Sequence, residues 1–186
     1  MGAIDLYWLP LGAGGRFVRL NGRLFETVVA ARERRRPQAL FHSALRIEAA
    51  GATFVVEQTP AWGAHDSARG VVVEGPVGAR WAGRWLLFRY EVRRWRDGTI
   101  PDLAEAVESP RRVSAEEDRA ARLLELVEQL PTPTWGRDEL HTGEMWNSNS
   151  VIAWLLARSG VDAERISPPA GGRAPGWRAG LVVAAR

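Results

Sequence analysis

The stretch Glu144-Met145-Trp146-Asn147-Ser148-Asn149-Ser150-Val151-Ile152-Ala153-Trp154-Leu155-Leu156 decides how this 186-residue chain is read. A polar turn runs straight into the first turn of an apolar helix. Two roles compete for such a junction. Asn and Ser are good N-caps, because a side-chain oxygen can accept the unpaired N–H groups of a first turn. The same N–H groups, and the partial positive charge behind them, also suit a nucleophile or an oxyanion. The chain has no cysteine, which excludes thiol catalysis, thiolate metal sites and disulfides together.

Working outward, the helix is expected over Ser150–Ser159, with Gly160 in the C′ role. Upstream, the capping box Ser114-Ala115-Glu116-Glu117 predicts a helix to Leu130, with Leu123, Leu124, Leu126, Val127 and Leu130 as its buried stripe. Pro131 and Pro133 end it. Residues 39–48 and Thr53–Gln58 read as strands joined through Ala49-Ala50-Gly51. Val71–Glu74 is a short strand. Leu86–Trp95 is a longer one, in which Leu86, Phe88, Tyr90 and Val92 alternate with Arg89, Glu91 and Arg93. Residues 23–36 read as a helix capped by Asn21, against the alternative that Asn21-Gly22 is a hairpin turn. The glycine-rich residues 10–16 lack the Lys-Ser/Thr that completes a P-loop and read as a turn. A proline- and glycine-rich loop over 167–176 leads to a last strand, Gly180–Ala185. The whole pattern is α+β, a small antiparallel sheet packed against a few helices.

All 25 basic residues are arginine, set among 22 acids for a net charge of +3. That dispersion describes a solvated rim better than a nucleic-acid patch. The competing reading uses Trp95, in Arg93-Arg94-Trp95-Arg96, as a stacking surface. No run of ~18 apolar residues predicts a membrane span. The first residues, Met1–Asp5, lack the basic-then-apolar order of a signal peptide, and a cytoplasmic location is expected. His42, His65 and His141 are dispersed, so no metal and no cofactor is expected.

The candidate chemistry lies in two places. His42 sits early on an apolar strand. A three-residue loop at 49–51 would set it opposite Gln58, and a slip of one residue would bring Glu57 there instead. Either side chain could orient the imidazole. About a hundred residues later, Asn147-Ser148-Asn149 opens the apolar helix. Trp135 and Trp146 lie on the loop before it, where aromatics either line a cleft or fasten a loop to a sheet.

A strand histidine, a polar residue on the next strand and a nucleophile position opening a helix together resemble the circularly permuted papain-like group. This group includes the lecithin:retinol acyltransferase-like proteins, the PPPDE peptidases and permuted relatives of bacterial cell-wall amidases. There the helix opens with Asn-Cys, often Asn-Cys-Asn or Asn-Cys-Glu, before an aromatic or aliphatic residue. Here the run is Asn147-Ser148-Asn149-Ser150-Val151, with serine in the cysteine position. The resemblance implies one papain-like domain over residues 1–186. Ser148 would be the nucleophile, His42 its base, and Glu57 or Gln58 the orienting group. Asn147 or Asn149, with the Ser148 N–H, would help bind an oxyanion, and Trp135 and Trp146, from their place on the loop, are the candidates for lining the substrate cleft. A serine hydroxyl is far harder to deprotonate than a thiol and needs a well-aligned base. The expected function is thus a serine-variant or catalytically lapsed amidase- or peptidase-type protein whose cleft holds a peptide or acyl ligand. The alternative is a non-enzymatic, arginine-rich domain that binds nucleic acid or protein.

Overall fold

A computed structural model describes residues 2–11, 26–61 and 70–186. Six strands form one antiparallel sheet: β1 (Ala3–Pro10), β2 (Ala39–Ala49), β3 (Ala52–Pro60), β4 (Val71–Pro76), β5 (Arg89–Arg96) and β6 (Val107–Ser114). Their spatial order is β4-β5-β3-β2-β1-β6. A two-residue strand, β7 (Gly172–Arg173), runs parallel to the start of β2. Residues 26–32 are helical (α1). Three further helices follow the sheet: α2 (Glu117–Leu126), α3 (Ser148–Arg158) and α4 (Trp177–Ala184). The fold is therefore α+β, an antiparallel sheet packed against several helices.

Side-chain alternation splits the sheet into two unlike faces. Ile4, Leu6, Leu45, Ile47, Val56 and Val92 share one core with Leu123, Ile152, Leu155 and Leu156 of the helices. Each such side chain stabilises the fold by roughly 1.5–3 kcal/mol when fully buried. The other face carries a smaller cluster, Tyr7, Leu9, Ala44, Val55 and Ile100. Helix α3 is buried on almost every side, from Ser148 through Leu156. That accounts for its nearly unbroken apolar sequence.

Several sequence expectations change in the structure. The hairpin between β2 and β3 pairs Ala49 with Ala52. Its loop is the two residues Ala50 and Gly51, at φ 50° and 74°, as a primed turn requires. Leu86–Phe88 is a 3-10 turn, and the strand begins only at Arg89. Ser114 ends β6 instead of capping α2, and its hydroxyl accepts the Glu116 N–H at 3.2 Å. Gly180–Ala185, expected as a strand, lies mostly in α4. Packing on α3 decides this: Gly180 sits against the Ser150 carbonyl, where a Cβ would collide. Strands β1 and β6 have no counterpart in the sequence reading. The glycine-rich loop from residue 12 onward, the Asn21 cap and His65 lie outside the described residues.

Candidate functional site

The Asn147-Ser148-Asn149-Ser150 run builds the N-terminus of α3 and is largely consumed in doing so. Asn147 Oδ1 accepts the N–H groups of Asn149 at 2.9 Å and Ser150 at 3.3 Å. Ser150 Oγ accepts the Asn147 N–H at 3.1 Å, completing a capping box. The same side chains then reach outward. The Ser150 hydroxyl donates to the Gly176 carbonyl at 2.7 Å, and Asn147 Nδ2 donates to Pro175 at 2.9 Å. Asn149 Nδ2 donates to the Phe41 and Pro175 carbonyls, both at 2.9 Å. Asn149 Oδ1 accepts the Ser43 hydroxyl at 2.9 Å. One short motif thus ties α3 to β2 and to the turn that opens α4. Gly176, at φ 85°, lies so close to the Asn147 amide that no Cβ fits. Ser148 is different: it is 6% exposed, and its hydroxyl makes no hydrogen bond among the described residues.

The sheet separates Ser148 from His42. Ser43 faces α3, as its bond to Asn149 requires. His42 is the preceding residue on an unbroken strand, so its ring points the opposite way. The pairing partner gives the same answer: His42 lies opposite Leu9, a member of the smaller cluster on the far face. Burial holds the imidazole down to about 4, while the Asp102 carboxylate works in the other direction. His42 is therefore a neutral ring at pH 7, on the side of the sheet away from α3. The shared crevice implied by the papain-like resemblance is not formed.

The two candidate orienting residues divide in the same way. The pairing of β2 with β3 runs from Ala49–Ala52 to Leu45–Val56 and stops there. It is one step off the expected register, and neither Ser43 nor His42 has a paired residue on β3. Gln58 shares the face of Val56, toward α3. Only 4% exposed, it has no hydrogen-bond partner for either amide atom among the described residues. Glu57 shares the far face with His42 but is held by Arg93, whose Nη1 donates to it at 3.2 Å. Arg93 Nε also donates to Glu91 at 2.6 Å, making a buried cluster across β3 and β5. Burial raises the Glu57 carboxyl above its ordinary range, and Arg93 opposes the shift.

The loop tryptophans serve the core. Trp146 is buried in the main cluster, and Trp135 meets Tyr90 edge-on with ring centroids 5.8 Å apart. A cavity of about 290 Å³ lined by Ala157, Val161, Glu164 and Leu181 sits at the far end of α3 from Ser148. Among the described residues, no cluster of three or more His, Asp or Glu could hold a metal ion.

The feature that sequence reasoning passed over is the connection between β4 and β5. Two 3-10 turns, Arg80–Arg84 and Leu86–Phe88, carry Trp81, Trp85, Leu86, Leu87 and Phe88, all exposed. The signal was present: Trp85-Leu86-Leu87-Phe88 is four consecutive apolar residues, which breaks the alternation of a half-buried strand. Compared with known proteins, the chain matches no family model, no curated protein and no solved structure.

Proposed function

We propose that this chain is a non-catalytic binding domain. The observation that carries the reading is the placement of His42 and Ser148 on opposite faces of the sheet. A serine hydroxyl without a base in contact is a poor nucleophile at neutral pH. The neighbouring asparagines are engaged with backbone groups of β2 and the 175–176 turn, which leaves them unavailable to an oxyanion. A lapsed member of the permuted papain-like group is compatible with this reading, since it would keep the helix-on-sheet packing without the chemistry. Nucleic acid is disfavoured as the partner. Among the described residues, Arg35, Arg80, Arg89, Arg93, Arg94 and Arg112 each pair with a carboxylate, so these six cations are already engaged within the fold.

The test is labelling with a serine-reactive fluorophosphonate, together with alkylation of Ser148→Cys. The expected results are no labelling of the wild type and an ordinary thiol in the variant. Labelling that disappears in Ser148→Ala, or a thiol of unusually high reactivity, would overturn the proposal.

A further inference from the structure

This inference rests on the binding-domain reading and names the partner. The β4–β5 connection exposes Trp81 (68%), Leu86 (58%) and Leu87 (60%), with Trp85 and Phe88 beside them. The aromatic rings hold one another in place. Trp81 and Trp85 meet edge-on at 5.6 Å between centroids, and Trp85 and Phe88 at 6.4 Å. The Arg84 guanidinium lies 4.0 Å from the centre of Trp85 and 6.0 Å from that of Trp81.

Charge complements this apolar surface. Residues 77–90 contain three arginines and no acid. Arg80 pairs with Glu139 and Arg89 with Glu74, while Arg84 has no carboxylate partner among the described residues. Its cation sits at the edge of the apolar patch, available to an anion.

Size and shape select the partner. An aromatic side chain spans roughly 150–250 Å². Five side chains exposed to this degree therefore leave several hundred Å², around the upper end of what a monomer usually shows. A stable protein pair needs about 800 Å² from each side, which makes the patch small for a second copy of the chain. Nucleic-acid bases would use the flat rings but have nothing to gain from Leu86 and Leu87. A lipid surface uses every part. Indoles favour the headgroup level, a guanidinium reaches phosphate, and leucine and phenylalanine enter the acyl boundary. We propose that the β4–β5 connection inserts into the surface of an anionic phospholipid bilayer, with Arg84 against a headgroup phosphate.

The experiment is flotation of the full chain with phosphatidylcholine vesicles, with and without phosphatidylglycerol. The wild type is expected to float with the anionic vesicles, less so with the neutral ones, and less as salt rises. Leu87→Glu and Trp81→Ala are expected to lose most of the binding, and Arg84→Gln to weaken it about fivefold. The altered side chains are exposed, so an unchanged thermal transition would show that the variants remain folded. A wild type that stays unbound with anionic vesicles overturns the assignment. So do folded variants that float like the wild type, or self-association through these residues without vesicle binding. The binding-domain reading fails separately, through Ser148-dependent labelling, which does not involve lipid.

Discussion

The Ser43 hydroxyl donates to Asn149 Oδ1 at 2.9 Å across the interface between β2 and α3. This contact orients the strand beneath the helix. It sends Ser43 toward α3 and His42 away from it, and it makes Asn149 a bracket between helix, strand and the 175–176 turn.

The bracket has a measurable weight. Asn149→Ala removes an acceptor from buried Ser43 and donors from two carbonyls, and is expected to destabilise the fold by about 2–4 kcal/mol. Ser148→Ala removes a hydroxyl with no hydrogen-bond partner among the described residues, and should stay within about 0.5 kcal/mol of the wild type. Chemical denaturation of both variants decides the matter. Equal losses would mean that the hydrogen bonds of Asn149 do not hold the helix.

Gly180 sets helix propensity against packing. In an exposed helix Gly→Ala gains about 1 kcal/mol. Here a Cβ would collide with the Ser150 carbonyl and the Ala153 side chain, which line the close approach of α4 to α3. Gly180→Ala is therefore expected to cost about 1–3 kcal/mol, the usual penalty for overpacking. A raised thermal midpoint in the variant would refute the close contact.

His42 contributes a pH dependence of definite sign. Its folded value of about 4 lies below the ordinary 6.5. Between these values the unfolded chain binds a proton that the folded chain does not. The stability contributed is fully present above pH 6.5 and is lost as pH falls toward 4. Allowing for the ring's partial exposure, the loss is about 2–3 kcal/mol. Denaturation of the wild type and His42→Leu at several pH values isolates the contribution of the ring by difference. A difference that does not change between pH 7 and pH 4 would refute a neutral, desolvated ring.

Arg93→Met leaves the Glu57 and Glu91 carboxylates buried without the guanidinium they share, at an expected cost of about 3–5 kcal/mol at neutral pH. Because burial already raises the Glu57 carboxyl, its stability contribution is present at low pH and falls as pH rises through its folded value. The Arg93→Met defect should therefore shrink on acidification. Stability curves against pH for both proteins test this, and a defect that grows in acid would contradict the burial of Glu57.

Local rules reached many of the elements. Strands β2, β3 and β4, the body of α2, and α3 stopped ahead of Gly160 follow from alternation, helical periodicity, and proline and glycine stops. The α+β class follows from their order. Asn147-Ser148-Asn149 was legible as a helix opening for the same reason, since capping acts within three residues.

The pairing register and the facing of β2 were not legible, because they turn on one residue in a hairpin. Ala50-Gly51, not Ala49-Ala50-Gly51, forms the loop, and a side-chain period of two converts that single step into a change of neighbour across the strands. Tertiary contact also decided Gly180–Ala184, whose valines suit a strand until Gly180 is needed against α3. It decided as well that the apolar run after Trp85 stays outside the core. The sequence by itself determined the elements whose forces act within a few residues. Only the packed sheet determined which side chains share a face, because that depends on register and on what lies against each side.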